Sequence, residues 1–267
     1  MKNRTLSCLN LLDAYKSIND ILGISQSKVN KYLFSLNDGT DISLKDIIDL
    51  YNATEIKEIR IDYVLVSHLT TASAYDKCAY IKNNGLTNTR KVLVNNTPMN
   101  QFLKNHMIQV KNENDTYELY YNDNYINIRD KKNLSKSLLS YKLEKDSQIN
   151  TIFYTANIIN YGNVKHFPEI IADISNLVPI CLEDFWEEMT SPYILTIRLK
   201  LNQIGSITFL ENTCDEFTEI ETCKWLLEKS LRYIYDLLLY NSTYDTYIFL
   251  KDNMDIQPQD IINIQQV

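Results

Sequence analysis

Apolar residues recur at helical spacing through the N-terminal part of the chain. Leu6, Leu9, Leu12 and Tyr15 form one stripe, Val29, Leu33 and Leu36 part of a second, and Ile47, Ile48, Leu50 and Tyr51 a third. This pattern predicts that residues 1–56 are helical throughout. Within them, residues 17–33 (SINDILGISQSKVNKYL) read as helix, glycine turn and helix, with Ser25 capping the second helix. Gln26, Lys28, Asn30 and Lys31 on its outer side are residue types that read DNA, and equally the wet face of an ordinary helix. The period then drops to two. In residues 61–70 (IDYVLVSHLT), Val64 and Val66 alternate with Leu65 and Ser67, which predicts a buried strand ending on His68 and Thr70. Two residues apart on a strand, these side chains share a face. Residues 72–82 return to helical spacing and stop at Asn83-Asn84-Gly85, with Thr70 also placed to cap that helix.

Further on, Thr97-Pro98 signals a helix start, with Met99, Phe102 and Leu103 as its apolar face. Residues 117–128 alternate aromatically about Asn122-Asp123-Asn124, the pattern of a hairpin bearing Tyr120, Tyr121 and Tyr125. Residues 129–145 predict a lysine-rich helix on Leu134, Leu138 and Leu139, and residues 148–154 a strand. Helices are expected at 167–177 and 181–188, then a strand at 193–201 with 206–210 returning beside it. A long helix at 217–240 has Phe217, Ile220, Cys223, Leu227, Leu231, Ile234 and Leu238 at threes and fours. It would wrap a domain or form the seam of a homo-oligomer. A last strand is expected at 246–250. The resulting class is α+β, with a helical N-terminal segment (1–56) followed by a mixed or antiparallel sheet domain (57–267).

Composition fits a globular chain: 267 residues, 45% hydrophobic, with only five glycines and five prolines. The net charge of −7 argues against a wholesale nucleic-acid coat. Residues 82–145 run against that balance, with 11 Lys and Arg to 6 Asp and Glu, as a phosphate-facing surface or a solvated one would. Five widely separated cysteines argue against a disulfide framework or zinc site, and Cys8, Cys78 and Cys223 read as core residues. Glu183, Asp184, Glu187 and Glu188 around Trp186 read as a solvated helix face more readily than as a metal site, and no metal is expected. The first residues lack a sustained apolar stretch and no run reaches the length of a membrane span, so a cytoplasmic protein without a membrane partner is expected.

His68 with Thr70 two residues on, followed by a helix that closes on Gly85-Leu86, resembles the opening of the ADP-ribosyltransferase fold. The tail, where Ile256, Pro258 and Ile261 match an I-x-P-x-x-I element after the closing strand, is similar to the end of such chains. The resemblance implies NAD as substrate and transfer of ADP-ribose to a protein, DNA or RNA acceptor, as in bacterial toxins and phage-defence effectors. It implies that His68 bonds the adenosine-side ribose with help from Thr70. A tyrosine would pack on the nicotinamide; Tyr120, Tyr121 and Tyr125 are available, with Tyr121 the candidate. The family places a catalytic Glu at the head of the closing strand. Here that head is Tyr244-Asp245-Thr246-Tyr247, leaving Asp245 as the catalytic candidate, one methylene shorter. The departure opens an alternative, a catalytically inactive ADP-ribosyltransferase-like protein that binds nucleic acid or a protein partner.

Overall fold

The computed structural model describes residues 4–37, 40–114, 116–130, 132–160, 164–207 and 218–267. In chain order its elements are β1 (Thr5–Ser7), α1 (Leu11–Leu22), α2 (Gln26–Leu33), α3 (Leu44–Tyr51), β2 (Tyr63–Ser73), α4 (Ala79–Asn84), α5 (Thr89–Val94), α6 (Pro98–Asn105), β3 (Ile108–Glu113), β4 (Thr116–Tyr121) and β5 (Asn124–Ile126). They continue with α7 (Leu134–Glu144), β6 (Asn150–Tyr154), α8 (Glu169–Ser175), α9 (Leu182–Met189), β7 (Thr190–Leu199), β8 (Ile204–Ile207), α10 (Glu219–Tyr240), β9 (Thr246–Leu250) and β10 (Ile261–Gln266). The chain is thus mixed α and β with largely antiparallel sheets. No described helix is long and apolar enough to cross a membrane. Two compact units emerge: Met1–His68 with Asn150–Ala156 and Thr196–Lys251, and Leu69–Ile149 with Asn157–Leu195 and Asp252–Val267.

The first unit corrects the expectation of an all-helical N-terminus. β1 lies parallel to the start of β2, with Leu6 opposite Val64. Three residues are too few for a period of two to stand out from helical spacing. β2 pairs antiparallel with β6, β6 with β9, and β9 with β8. The segment at 204–207 therefore returns beside β9 and not beside β7; residues 208–210 of the expected strand lie outside the described residues. The side chain of Asn10 accepts from the Asp13 amide to start α1, and Gly23, at φ 71°, ends it in the left-handed conformation. The face α1 buries is Ala14, Tyr15, Ile18, Ile21 and Leu22, whereas Leu12 is 74% exposed, so the predicted stripe is rotated. α10 begins with a capping box between Thr218 and Glu221 and buries Cys223, Leu227, Leu231 and Ile234 as the spacing predicts. Phe217 lies outside the described residues. α1 packs on α10 and on β1, and the Cys8 thiol donates to Ser230 Oγ at 3.2 Å. Cys8, Cys78 and Cys223 are all buried, as expected of core cysteines.

In the second unit, Leu93, Phe102, Leu103, Leu119, Leu139, Leu143, Ile171 and Trp186 share one core. β3, β4 and β5 form an antiparallel meander. The hairpin between β4 and β5 turns on Asn122 and Asp123, both at positive φ, as a two-residue turn of this hand requires. Thr97 caps α6 through the Asn100 amide, with Pro98 in the first turn. α7 turns Leu139 inward as predicted, together with Leu143, but leaves Leu134 and Leu138 exposed, which corrects the rest of the predicted face.

β2 runs on to Ser73, so Thr70 lies inside a strand and caps no helix; α4 starts later than predicted, at Ala79. Gly85 then sits at φ 81°, ψ −166°, a region essentially restricted to glycine. Leu86 and Ile256 exchange two backbone hydrogen bonds, at 3.0 and 2.9 Å. A Cβ on Gly85 would stand 2.0 Å from the Ile256 carbonyl oxygen. Lys91 adds an ion pair to Asp255 at 2.6 Å. Gly85→Ala is therefore expected to lower stability by about 3 kcal/mol or more, from backbone strain plus loss of the bridge. Gly23→Ala meets open space and should cost about 1 kcal/mol. Urea denaturation of the two variants measures both; equal losses would mean that the bridge to Ile256 does not form.

Candidate functional site

His68 closes the part of β2 that belongs to the first unit, and it is half-buried. Its Nδ1 lies 2.8 Å from the Asn150 carbonyl oxygen on β6. A carbonyl only accepts, so Nδ1 carries the proton and Nε2 of the neutral ring is left as an acceptor. Burial pushes the imidazole below its ordinary value, and the Asn150 carbonyl opposes this without overcoming it. The ring is thus a fixed, uncharged hydrogen-bond acceptor near neutral pH.

Asp245 stands immediately before β9 and is exposed. Its Oδ1 accepts from Thr155 Oγ1 and its Oδ2 from the Tyr247 hydroxyl at 3.1 Å, so both carboxylate oxygens are engaged and the group is held in one orientation. Strand register fixes how far it lies from His68. Ser67 faces Ile152, which sets His68 level with Thr151 and, one strand on, Ile248. Asp245 lies beyond Thr246, the partner of Tyr154. The offset is about 10 Å along the strands, at roughly 3.3 Å per residue, and about 10 Å across two strand spacings. The two groups are too far apart to grip one sugar ring.

The remaining candidates belong to the second unit. Thr70 is half-buried and its Oγ1 makes a long contact of 3.4 Å to the Thr71 carbonyl. Its neighbour Thr71 is buried and accepts the Trp186 indole N–H at 2.8 Å. Tyr121 pairs with Ile108 and Asn124 in the meander and packs against the core around Leu119. Tyr120 and Tyr125 form a cross-strand ring pair with centroids 5.8 Å apart, Tyr125 being the exposed member. The carboxylates of α9 are dispersed: Glu183 accepts from Ser175, and Glu187 faces His166 Nδ1 at 3.4 Å. Among the described residues no group of three His, Cys, Asp or Glu side chains is placed to hold a metal ion.

Sequence reasoning missed Asn150, Thr155 and Tyr247. Only Tyr247 left a signal, standing two residues from Asp245 on the same strand face. The structure defines a mixed α and β protein in which a neutral histidine on β2 and a hydroxyl-bound carboxylate before β9 share one unit. No protein-family model, curated protein or solved structure matches the chain.

The depressed His68 titration has a consequence for stability. Near pH 6.5 the unfolded chain takes up a proton that the folded ring resists, so the contribution of His68 is complete above that pH and is lost as pH falls below it. Stability measured by urea denaturation from pH 7.5 to 5.5 should fall more steeply in the wild type than in His68→Gln. Parallel slopes would show that the ring is not held neutral.

Proposed function

We propose that the chain binds NAD and transfers ADP-ribose to a macromolecular acceptor, protein or nucleic acid, through a site on the first unit. The observation that carries this reading is the anchored His68 ring, whose free Nε2 is suited to accept a ribose hydroxyl. The Leu86–Ile256 bridge supports it independently, because it joins the two stretches, Gly85-Leu86 and Ile256–Ile261, that resemble the ADP-ribosyltransferase fold. In the reaction the C1′–N bond to nicotinamide breaks, and nicotinamide leaves with the bonding electrons. Positive charge develops on the ribose, and the acceptor nucleophile forms the new bond to C1′ and loses its proton. Asp245, oriented by Thr155 and Tyr247, would stabilise the developing charge.

A second reading is favoured by the same carboxylate: an exposed aspartate with both oxygens engaged suits a site that binds the nucleotide and does not turn it over. One experiment separates them. NAD at ten times its dissociation constant should raise the melting temperature by about 2–5 °C, an effect lost in His68→Ala. Labelled NAD incubated with cell extract should leave label on macromolecules, and Asp245→Asn should cut that incorporation by about a hundredfold. A thermal shift with no retained label, in wild type and Asp245→Asn alike, supports the binding reading. Absence of any shift with millimolar NAD removes both.

A further inference from the structure

The N-terminal helices carry a motif that the nucleotide site leaves unused. α1 ends on the left-handed Gly23, Ile24 is buried in the turn, and α2 starts after Ser25. Ile18, Ile21 and Leu22 of α1 and Val29, Tyr32 and Leu33 of α2 are buried, so the two helices are fixed against their surroundings by their inner sides. Tyr32 ties α2 to the start of α3, donating to the Ser43 carbonyl at 3.2 Å and accepting its amide at 3.3 Å. Two helices with a glycine turn and a supporting third are the frame that sets a helix into the major groove of DNA.

The outward side of α2 has the chemistry for that task. Gln26, Ser27, Lys28 and Lys31 are exposed, and α2 holds two lysines and no acidic residue. Ser25 makes no side-chain bond to the helix it precedes, in contrast to Asn10 and Ser43 before α1 and α3. The Lys28 ammonium lies over the Tyr51 ring of α3, 5.2 Å from its centroid, a cation–π contact that holds the charge of this exposed side chain in place. Asn30 is the exception, because its carbonyl accepts the Tyr15 hydroxyl. Asp13 and Asp20 outnumber Lys16 on α1, and Asp46 and Asp49 outnumber Lys45 on α3, so of the three helices α2 alone carries net positive charge. A face so charged is complementary to phosphate, and its polar first turn to base edges.

We propose that α1, the Gly23 turn and α2 form a helix-turn-helix that docks duplex DNA, with Gln26 and Ser27 toward the bases and Lys28 and Lys31 on phosphates. This surface lies wholly on the N-terminal helices and does not depend on NAD binding. Each lysine–phosphate contact contributes about −0.9 to the slope of log affinity against log salt. Fluorescence anisotropy of the full chain on a labelled mixed-sequence duplex of about 30 bp should therefore show affinity falling about tenfold from roughly 50 to 200 mM salt. Lys28→Glu with Lys31→Glu should weaken binding by at least tenfold and flatten that slope. Lys57→Glu, which reverses an exposed lysine paired with Glu55 outside the motif, should leave both unchanged. Melting curves establish that the variants fold, and Lys31→Ala, expected to lose about threefold, replaces the double variant if that one melts early. The proposal is overturned by no duplex binding at about 100 μM chain, by equal losses in Lys57→Glu, or by single-stranded RNA competing as well as the duplex.

Discussion

Pairing of the polar residues along β2 is the requirement from which the rest of the structure follows. Val64, Val66 and Leu69 make this strand apolar enough to bury, yet Ser67 and Thr71 go in with it and His68 and Thr70 go halfway. A buried polar group left without a partner costs about 1–3 kcal/mol, so each must be answered by a neighbour. In the first unit the answer for His68 is the Asn150 carbonyl, which fixes the ring relative to β6. In the second it is the Trp186 indole on Thr71, which fixes α9 beneath the strand. The functional consequence lies in what the pairing leaves over. One imidazole nitrogen is consumed by structure, and its proton forces the other to be an acceptor. A ring free at both nitrogens would rotate; the Asn150 carbonyl holds this one in a single orientation.

Elements whose signals are local were legible in the sequence. Thr97-Pro98 starts α6, the Asn122-Asp123 pair turns the hairpin, and the threes and fours from Cys223 to Ile234 run along the buried side of α10. What stayed hidden was non-local or short. β1 has three residues, and β10, with Gln265 and Gln266 in a half-exposed run, has no clean alternation. The partner of β8 depends on register across the sheet, which no window of sequence contains. Helix faces were misread where apolar residues ring the helix: Leu12 and Leu134 look like core and are both 74% exposed, because Ala14 and Leu139 occupy the inward positions.

The candidate site divides the same way. His68 and Asp245 were legible as a histidine near the end of an apolar run and a carboxylate at the head of another. The groups that give them their chemistry, Asn150 and Thr155, come from β6 and the residue after it, which only the fold brings alongside. Sequence names the titratable atoms, and tertiary pairing decides which of their lone pairs and protons remain for a ligand.

Gly23 and Gly85 show how far this dependence goes. Both follow a helix and both have positive φ, so as letters in a sequence they carry one meaning, a helix stop. Around Gly23 there is no atom within 4 Å of a Cβ, and glycine serves there only to ease the backbone into the left-handed region. Around Gly85 the ψ of −166° turns the chain into an extended path, and the Ile256 carbonyl occupies the space a side chain would need. That glycine is a contact residue with no side chain: its absence of a Cβ lets Leu86 and Ile256 trade hydrogen bonds, and so fastens the closing segment to the helix after β2. A stop signal set by the backbone alone tolerates relocation by a residue or two. One that also admits a distant segment does not, because the Leu86–Ile256 bridge fixes which residue must be glycine.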